Sequence, residues 1–414
     1  MARQQTRRRY LLAVGAAGAA GLAGCADEES RTPTGTETET NTATPTPTET
    51  GTQSEPETTT EREPATRADP DGWPMFGADL ANTRTVSDET GPTAGVAEQW
   101  RVETSGGVDS SPAVAGGTVY VGDNANDIYA LSAEDGTEQW QFTTEGAVAS
   151  SPAVVGDTVY AASFDNRVYA LSASEGTEQW RFETGSLVYS SPAVSGGTVY
   201  VGSGDGGVYA LGTEDGTEQW RSETNDAVNA SPAVVDGTVV VGGRDSNVYA
   251  FAADDGNRQW VTGTGEIVES SPAVVDDTVY VGSYDGHVYA FSKTSGVEQW
   301  RFETGGDIVS SPAVVDGTVY VGSRDNTVYA LSAADGTERW RFETGGDVLS
   351  SPAVVDGTVY VGSHDTNVYA LSAADGTERW RFETGDDVNS PPSVVDGTVY
   401  VGSRDGSVYA LSEP

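Results

Sequence analysis

His287 and His364 are the only imidazoles in this 414-residue chain, and Cys25 is its only thiol. The two histidines fall in polar turns at different positions of the turn, so they form no obvious pair. They read as solvated turn residues, because a metal site needs more convergent ligands. No Ser-His-Asp arrangement and no phosphate-cradling glycine loop is identifiable. A single cysteine excludes an intramolecular disulfide framework and any Cys-rich zinc site. What recurs instead is a pair of variable positions at 40-residue spacing. The first carries Asp109, Ala149, Tyr189, Asn229, Glu269, Val309, Leu349 and Asn389; the second carries Asn124, Phe164, Gly204, Arg244, Tyr284, Arg324, His364 and Arg404. Aromatic residues and arginine are the types enriched at the energetic centres of interfaces. The chemistry indicated is recognition, not bond-making. Beside the second set runs a near-ring of carboxylates, Asp165, Asp205, Asp245, Asp285, Asp325, Asp365 and Asp405, with Ala125 as the exception. An Asp in such a turn bonds its own backbone; cation binding is the alternative.

These side chains are positioned by a repeat. Trp100, Trp140, Trp180, Trp220, Trp260, Trp300, Trp340 and Trp380 are each 40 residues apart, and residues 95–414 hold eight periods without an insertion. The copy from Gly305 to Thr344 reads as four short strands: A from Ser311 to Val315, B from Thr318 to Gly322, C from Val328 to Ser332 and D from Glu338 to Glu343. Asp316-Gly317 and Asp335-Gly336 are tight-turn dipeptides, and the segments between are rich in Val and Tyr. No copy has the apolar period of a helix. Four strands in about 40 residues is a β-propeller blade. The first fragment, Gly95 to Thr104, holds only strand D, and the last, Gly385 to Pro414, holds only A to C. The fold class predicted is all-β: an eight-bladed propeller of four-stranded antiparallel blades, closed by a composite blade from both termini. A linear solenoid gives no reason for complementary end fragments. In an antiparallel blade the D–A and B–C connections share one end. Asp109, Tyr189, Asn229, Glu269, Asn389, Phe164, Arg244, Tyr284, Arg324, His364 and Arg404 are therefore expected on one face around the central channel, as a candidate binding face.

The segment Ala330-Leu331-Ser332-Ala333-Ala334-Asp335-Gly336-Thr337-Glu338-Arg339-Trp340 resembles the repeat of quinoprotein (PQQ-type) propellers, Ala-x-Asp-x-x-Thr-Gly-x-x-x-Trp. Here Ser usually replaces the first Asp, and Asp usually replaces Thr. Trp73-Pro74-Met75-Phe76, followed by Asn82-Thr83, is similar to the strap that precedes such propellers. The resemblance implies that the eight tryptophans are structural, each docking on the next blade near its Gly. Two kinds of protein share the motif: PQQ-dependent alcohol dehydrogenases, and non-enzymatic propellers that include the lipoprotein of the outer-membrane barrel-assembly machinery. The dehydrogenase resemblance implies a vicinal Cys-Cys disulfide, a calcium held by Glu, Asn and Asp, a catalytic Asp and long inter-strand insertions. This chain has no cysteine after Cys25, no insertions, and no segment matching the calcium or catalytic motifs. The expectation is a non-catalytic binding or scaffold protein without cofactor. The alternative is a PQQ-binding protein or dehydrogenase.

The residues before the propeller read as address and tether. Residues 1–25 resemble a twin-arginine lipoprotein signal, with Thr6-Arg7-Arg8-Arg9-Tyr10-Leu11-Leu12 as the export motif and Leu22-Ala23-Gly24-Cys25 as the lipobox. Lipidation is expected at Cys25. Residues 26–70 are a Thr/Glu/Pro-rich stalk expected to stay disordered, and residues 71–94 are the strap. The chain carries 63 acidic and 22 basic residues, a net charge of −41, and Lys293 is its only lysine. Such a surface repels nucleic acid. It also suits a protein kept soluble in multimolar salt, where self-repulsion is screened, so a haloarchaeal source is expected. The expected setting is the cell surface, with a lipid anchor on the outer face of the cytoplasmic membrane. The expected partner is a protein or envelope component.

Overall fold

Strands A to D of the sixth blade lie at Ala313–Val315, Thr318–Ser323, Thr327–Ser332 and Glu338–Glu343, hydrogen-bonded in that order in an antiparallel sheet. In this computed structural model residues 72–86 and 89–414 are described. The signal, Cys25 and the stalk lie outside them. Strand A begins two residues later than its sequence suggests, because Pro312 has no N–H to offer the ladder. Between A and B, Asp316 and Gly317 both take positive φ, 48° and 70°, as a two-residue hairpin of the right twist requires.

Eight such sheets are present among the described residues, with no helix. Strand A of each blade touches strand A of the next, and the first blade's touches the eighth's, so the ring closes around a central channel. The eighth sheet is composite. Strand D, Ala97–Glu103, pairs with strand C, Ser407–Ser412, placing Trp100 opposite Ala410. Strands B and C are buried throughout their apolar stretch, because each blade is covered on both faces by its neighbours. Strand D is outermost and mostly exposed; Trp is its only buried residue.

Each tryptophan joins two blades. Its indole N–H donates to a carbonyl in the next blade's C–D turn: Trp100 to Ala133 (3.0 Å), Trp140 to Ala173 (2.8 Å), Trp180 to Thr213 (2.9 Å), Trp220 to Ala253 (2.9 Å), Trp260 to Lys293 (2.7 Å), Trp300 to Ala333 (2.9 Å) and Trp340 to Ala373 (2.9 Å). The eighth blade has no continuous C–D turn, so Trp380 donates to Pro92 O at 2.7 Å instead. Deeper in, a ring of serines ties the inner strands together. The Ser111 N–H bonds Ser151 Oγ at 2.9 Å, and the same bond repeats as far as Ser311 to Ser351. Pro391 interrupts this ring in the last copy. There Ser393, where other copies carry Ala, donates to Pro112 O at 2.5 Å.

The strap does not merely precede the propeller; it plugs the channel. Gly72 and Trp73 add a strand to the inner edge of the first blade, opposite Ala115 and Val114. The strap carbonyls then accept the inner-strand N–H groups of later blades in turn: Pro74 from Val154 (2.7 Å), Leu80 from Val234 (2.7 Å), Ala81 from Val274 (2.8 Å), Thr83 from Val314 (3.1 Å) and Arg84 from Val354 (3.0 Å). Edge groups that would otherwise need water are thereby satisfied by chain. Asn82 Nδ2 reaches Pro232 O (3.3 Å) and Pro272 O (3.0 Å), and Arg84 Nε reaches Pro352 O (2.7 Å). Trp73, Met75, Asn82 and Arg84 are buried. Burial lowers the Arg84 guanidinium to about 9, against the opposing charge of Asp79.

Candidate funnel at the D–A/B–C mouth

The direction of the strap defines the two ends of the channel. Gly72 lies level with the A–B turn, and the chain advances toward the D–A end as far as Phe76. It turns through Gly77 to Asn82, held by Asp79, whose carboxylate accepts the Ala81 and Thr83 N–H groups at 3.0 Å each. It then leaves by the end it entered: Thr90 O accepts from Gly397 in an A–B turn at 3.0 Å. Among the described residues the strap therefore blocks the channel and leaves a blind funnel at the D–A/B–C end, above Phe76.

All eight residues of the first variable set line that funnel: Asp109, Ala149, Tyr189, Asn229, Glu269, Val309, Leu349 and Asn389. Phe76 and the inner serines form its floor, and its volume is about 130 Å³. The B–C residues surround it and contact the first set in pairs. Asp109 is held by four hydrogen bonds: from Arg404 Nε (2.9 Å) and Nη2 (3.3 Å), Asn124 Nδ2 (2.9 Å) and Asn389 Nδ2 (3.1 Å). His364 Nε2 lies 2.5 Å from Asn389 Oδ1, extending this network. Across the funnel, Glu269 is bonded by Arg244, by the Tyr284 hydroxyl and by Asn229 Nδ2 (3.0 Å). Arg324 lies over the Tyr284 ring at 5.2 Å and donates to Asp307 at 2.9 Å. Phe164 packs on Tyr189 with ring centroids 5.5 Å apart.

The electrostatics follow from this pairing. Burial pushes the Asp109 carboxyl up, but the bonds and charge of Arg404, together with the bonds from Asn124 and Asn389, outweigh it and hold the group below its ordinary value. The Tyr189 phenol is raised to about 12, by desolvation among the funnel walls first and then by the charges of Asp109 and Glu269, although 46% of the residue stays exposed at the mouth. Burial and the Glu269 carboxylate raise Tyr284 as well.

Three expectations need correction or extension. His287 does not lie in a B–C turn; it opens strand C of the fifth blade, with Nδ1 3.1 Å from Asp285 O. His364 is on the rim but is bonded to Asn389, so it is not a purely solvated turn residue. The carboxylate ring is a set of turn clamps. Asp325 Oδ1 accepts the Thr327 N–H (3.0 Å), while Oδ2 accepts the Gly305 N–H (2.7 Å) and the Tyr329 hydroxyl (2.7 Å). The first blade is no real exception. Asp123, two residues before Ala125, accepts the Ala125, Asp127 and Gly106 N–H groups, each at 2.9 Å.

Several contributors were not visible as site residues in the sequence: Phe76, Asp307 and Leu187. Leu187 precedes Tyr189 by two residues, at an offset where other copies carry Gly, Ala, Ile or Asp. That variation was its only signal. A larger depression of about 620 Å³ lies on the outer side between the sixth and seventh blades, lined by Glu343, Asp365, Glu378 and Arg381 among others. It is wide open and lined largely by residue types that recur in most copies, so it does not distinguish one blade from another.

The comparisons with known proteins agree with this architecture. A family model described as outer membrane protein assembly factor BamB matches residues 92–192, 183–284, 262–352 and 327–413. No curated protein sequence matches the chain significantly. Among solved structures, BamB from Moraxella catarrhalis aligns at TM-score 0.67 and 22% identity, covering 77% of this chain and 100% of its own. A europium-containing methanol dehydrogenase aligns at 0.71 and 14%, covering 83% and 98%. The quinohemoprotein alcohol dehydrogenase from Comamonas testosteroni aligns at 0.72 and 16%, covering 83% and 81%. At these identities the structures share a fold with this chain, and their similar scores assign it no activity. The family match spans nearly all of the propeller, so the chain belongs to the repeat family described as outer membrane protein assembly factor BamB.

Proposed function

We propose that this protein is a non-catalytic scaffold that holds a protein or envelope component on its D–A/B–C face, tethered by lipid at Cys25 outside the cytoplasmic membrane. The observation that carries the reading is the blind funnel. The chain's own strap runs through the channel, and variable side chains from all eight blades converge on the funnel left at its D–A/B–C end. Among the described residues the strap enters and leaves the channel at the end opposite this face. The match to a family described as an assembly factor supports the same reading.

A quinone cofactor does not fit the residues present. Small-molecule pockets run to about 300–1,000 Å³, whereas this funnel offers about 130 Å³ above Phe76. Its carboxylates, Asp109 and Glu269, are already bonded by Arg404 and Arg244 and are not grouped as metal ligands. Titration with PQQ and calcium checks this, and stoichiometric binding with dye-linked alcohol oxidation would overturn the scaffold reading.

The direct test is capture from detergent-solubilised membranes at high salt. Ala149→Arg with Ala147→Arg plants long side chains at the mouth. Glu214→Arg with Asp254→Arg places the same residue type in C–D turns at the other end. The expected result is one specific partner, lost with the first pair and retained with the second. No specific partner for the natural protein, or equal capture by both variants, contradicts the proposal.

A further inference from the structure

The arginines of the rim are already paired with carboxylates. Arg404, Arg244 and Arg324 bond Asp109, Glu269 and Asp307 respectively, and the carboxamides of Asn124, Asn229 and Asn389 are spent on the first two of these acids. A newcomer that bonded these groups would first have to break bonds of equal strength, so little net affinity is available there. Apolar surface at the same mouth has no such cover. Leu187 and Tyr189 are 39% and 46% exposed, two residues apart on one D–A connection. The other large exposed apolar residues among those described, Val155, Val261 and Val297, are scattered on different elements, which is ordinary for a protein surface.

The shape of the mouth narrows what it accepts. Leu187 packs against Gly204 of the adjoining B–C turn: the Gly204 N–H donates to Leu187 O at 2.8 Å, and a Cβ at Gly204 would meet Ser186 Oγ at 3.0 Å and Leu187 Cγ at 3.4 Å, so Leu187 itself fills this stretch of the wall. Inside this wall lies the funnel, whose apolar lining is Phe76, Ala149, Val309 and Leu349. A flat surface cannot reach this floor; a single protruding side chain can. Charge supplies the last constraint. On the two D–A connections that follow Leu187, Asp226 and Glu266 are exposed and have no cationic side chain within 4.0 Å among the described residues.

Resting on the scaffold reading, we propose that this mouth takes an extended protein segment bearing one apolar side chain flanked by basic residues. The apolar side chain enters the funnel, its neighbours lie along Leu187, Tyr189 and Phe164, and the basic flanks meet Asp226 and Glu266. Removing water from the apolar wall supplies the affinity, a contribution that salt does not screen. The basic flanks set orientation and encounter rate, and their effect fades as salt rises.

The test uses random peptides displayed on phage, selected on the purified full chain. The expected consensus is one Leu, Ile, Met, Phe or Trp with Arg or Lys on either side. A synthetic peptide of that consensus should bind Tyr189→Asp and Leu349→Asp more than about tenfold more weakly. Leu187→Ser, a milder change on an exposed residue, should show the same direction with less risk to folding. Asp226→Asn with Glu266→Gln should weaken binding several-fold at about 0.1 M salt and hardly at all at about 3 M. Val261→Asp and Val297→Asp should leave it unchanged. An acidic consensus, no enrichment, or insensitivity to Leu187 and Tyr189 overturns the inference. The scaffold reading stands or falls separately, on whether the membrane partner is captured.

Discussion

Trp300 and Gly336 show how much one repeated pair of residues carries. Gly336 has φ of +71°, and a Cβ built on it would stand 2.5 Å from Trp300 Cε3. Gly336→Ala therefore strains the backbone and pushes on the docked indole, costing about 1–3 kcal/mol. Trp300→Ala removes the indole altogether and should cost about 3–5 kcal/mol. Urea denaturation measures both, and an unchanged midpoint for either would contradict the docking described here. The pairing was legible because Trp and Gly recur in step every 40 residues. Which atom the indole bonds was not, since the carbonyl lies 33 residues on in the next blade. Rim residues were legible in the opposite way, through their variability. Variability located Arg244, Tyr284 and Arg404 but could not show that they already hold Glu269 and Asp109.

The strap is the element whose role the sequence announced least. Its motif suggested a lead-in to the propeller, whereas its backbone completes the inner edges of the blades. Asn82 is the central residue of that contact. It has φ of +55°, a conformation Asn tolerates better than most residues, and its amide bonds two prolyl carbonyls. Asn82→Ala leaves both buried carbonyls without this donor and should cost about 2–4 kcal/mol. Hydrogen exchange offers the sharper readout. The Val234 and Val274 amides, which bond strap carbonyls beside Asn82, should exchange faster, while amides of strands B and C stay protected. Uniform acceleration through all blades would mean the strap is not a separable plug.

At the scale of the whole molecule, repetition multiplies small terms. The clamp between a B–C Asp and the Tyr four residues on recurs around the ring. Burial first, and the Asp carboxylate second, raise Tyr169, Tyr249, Tyr289, Tyr329 and Tyr369 to about 12 from 10.0. In the unfolded chain these phenols lose their protons near pH 10, whereas the folded chain retains them. The stability they contribute is therefore complete below pH 10 and is lost as pH rises toward 12. Melting followed by circular dichroism should show the midpoint falling steeply across that window, and Tyr329→Phe should make the fall shallower. A flat profile to pH 12 would contradict the clamps. The net charge of −41 has no counterpart in the ion pairs of the fold; it speaks to the solvent around the propeller. By itself the sequence determined the blade, the count of eight and the closure by both termini, because a strict period with complementary end fragments leaves one way to satisfy every strand edge. It also determined which positions face the mouth, since strand polarity assigns each turn to an end. Only the tertiary structure decided that the strap blocks the channel, that the rim arginines are spent on Asp109, Glu269 and Asp307, and that Leu187 and Tyr189 are left uncovered. Those outcomes depend on contacts between residues far apart in the chain, such as Arg404 with Asp109 and Asn82 with Pro272, and no local pattern encodes them.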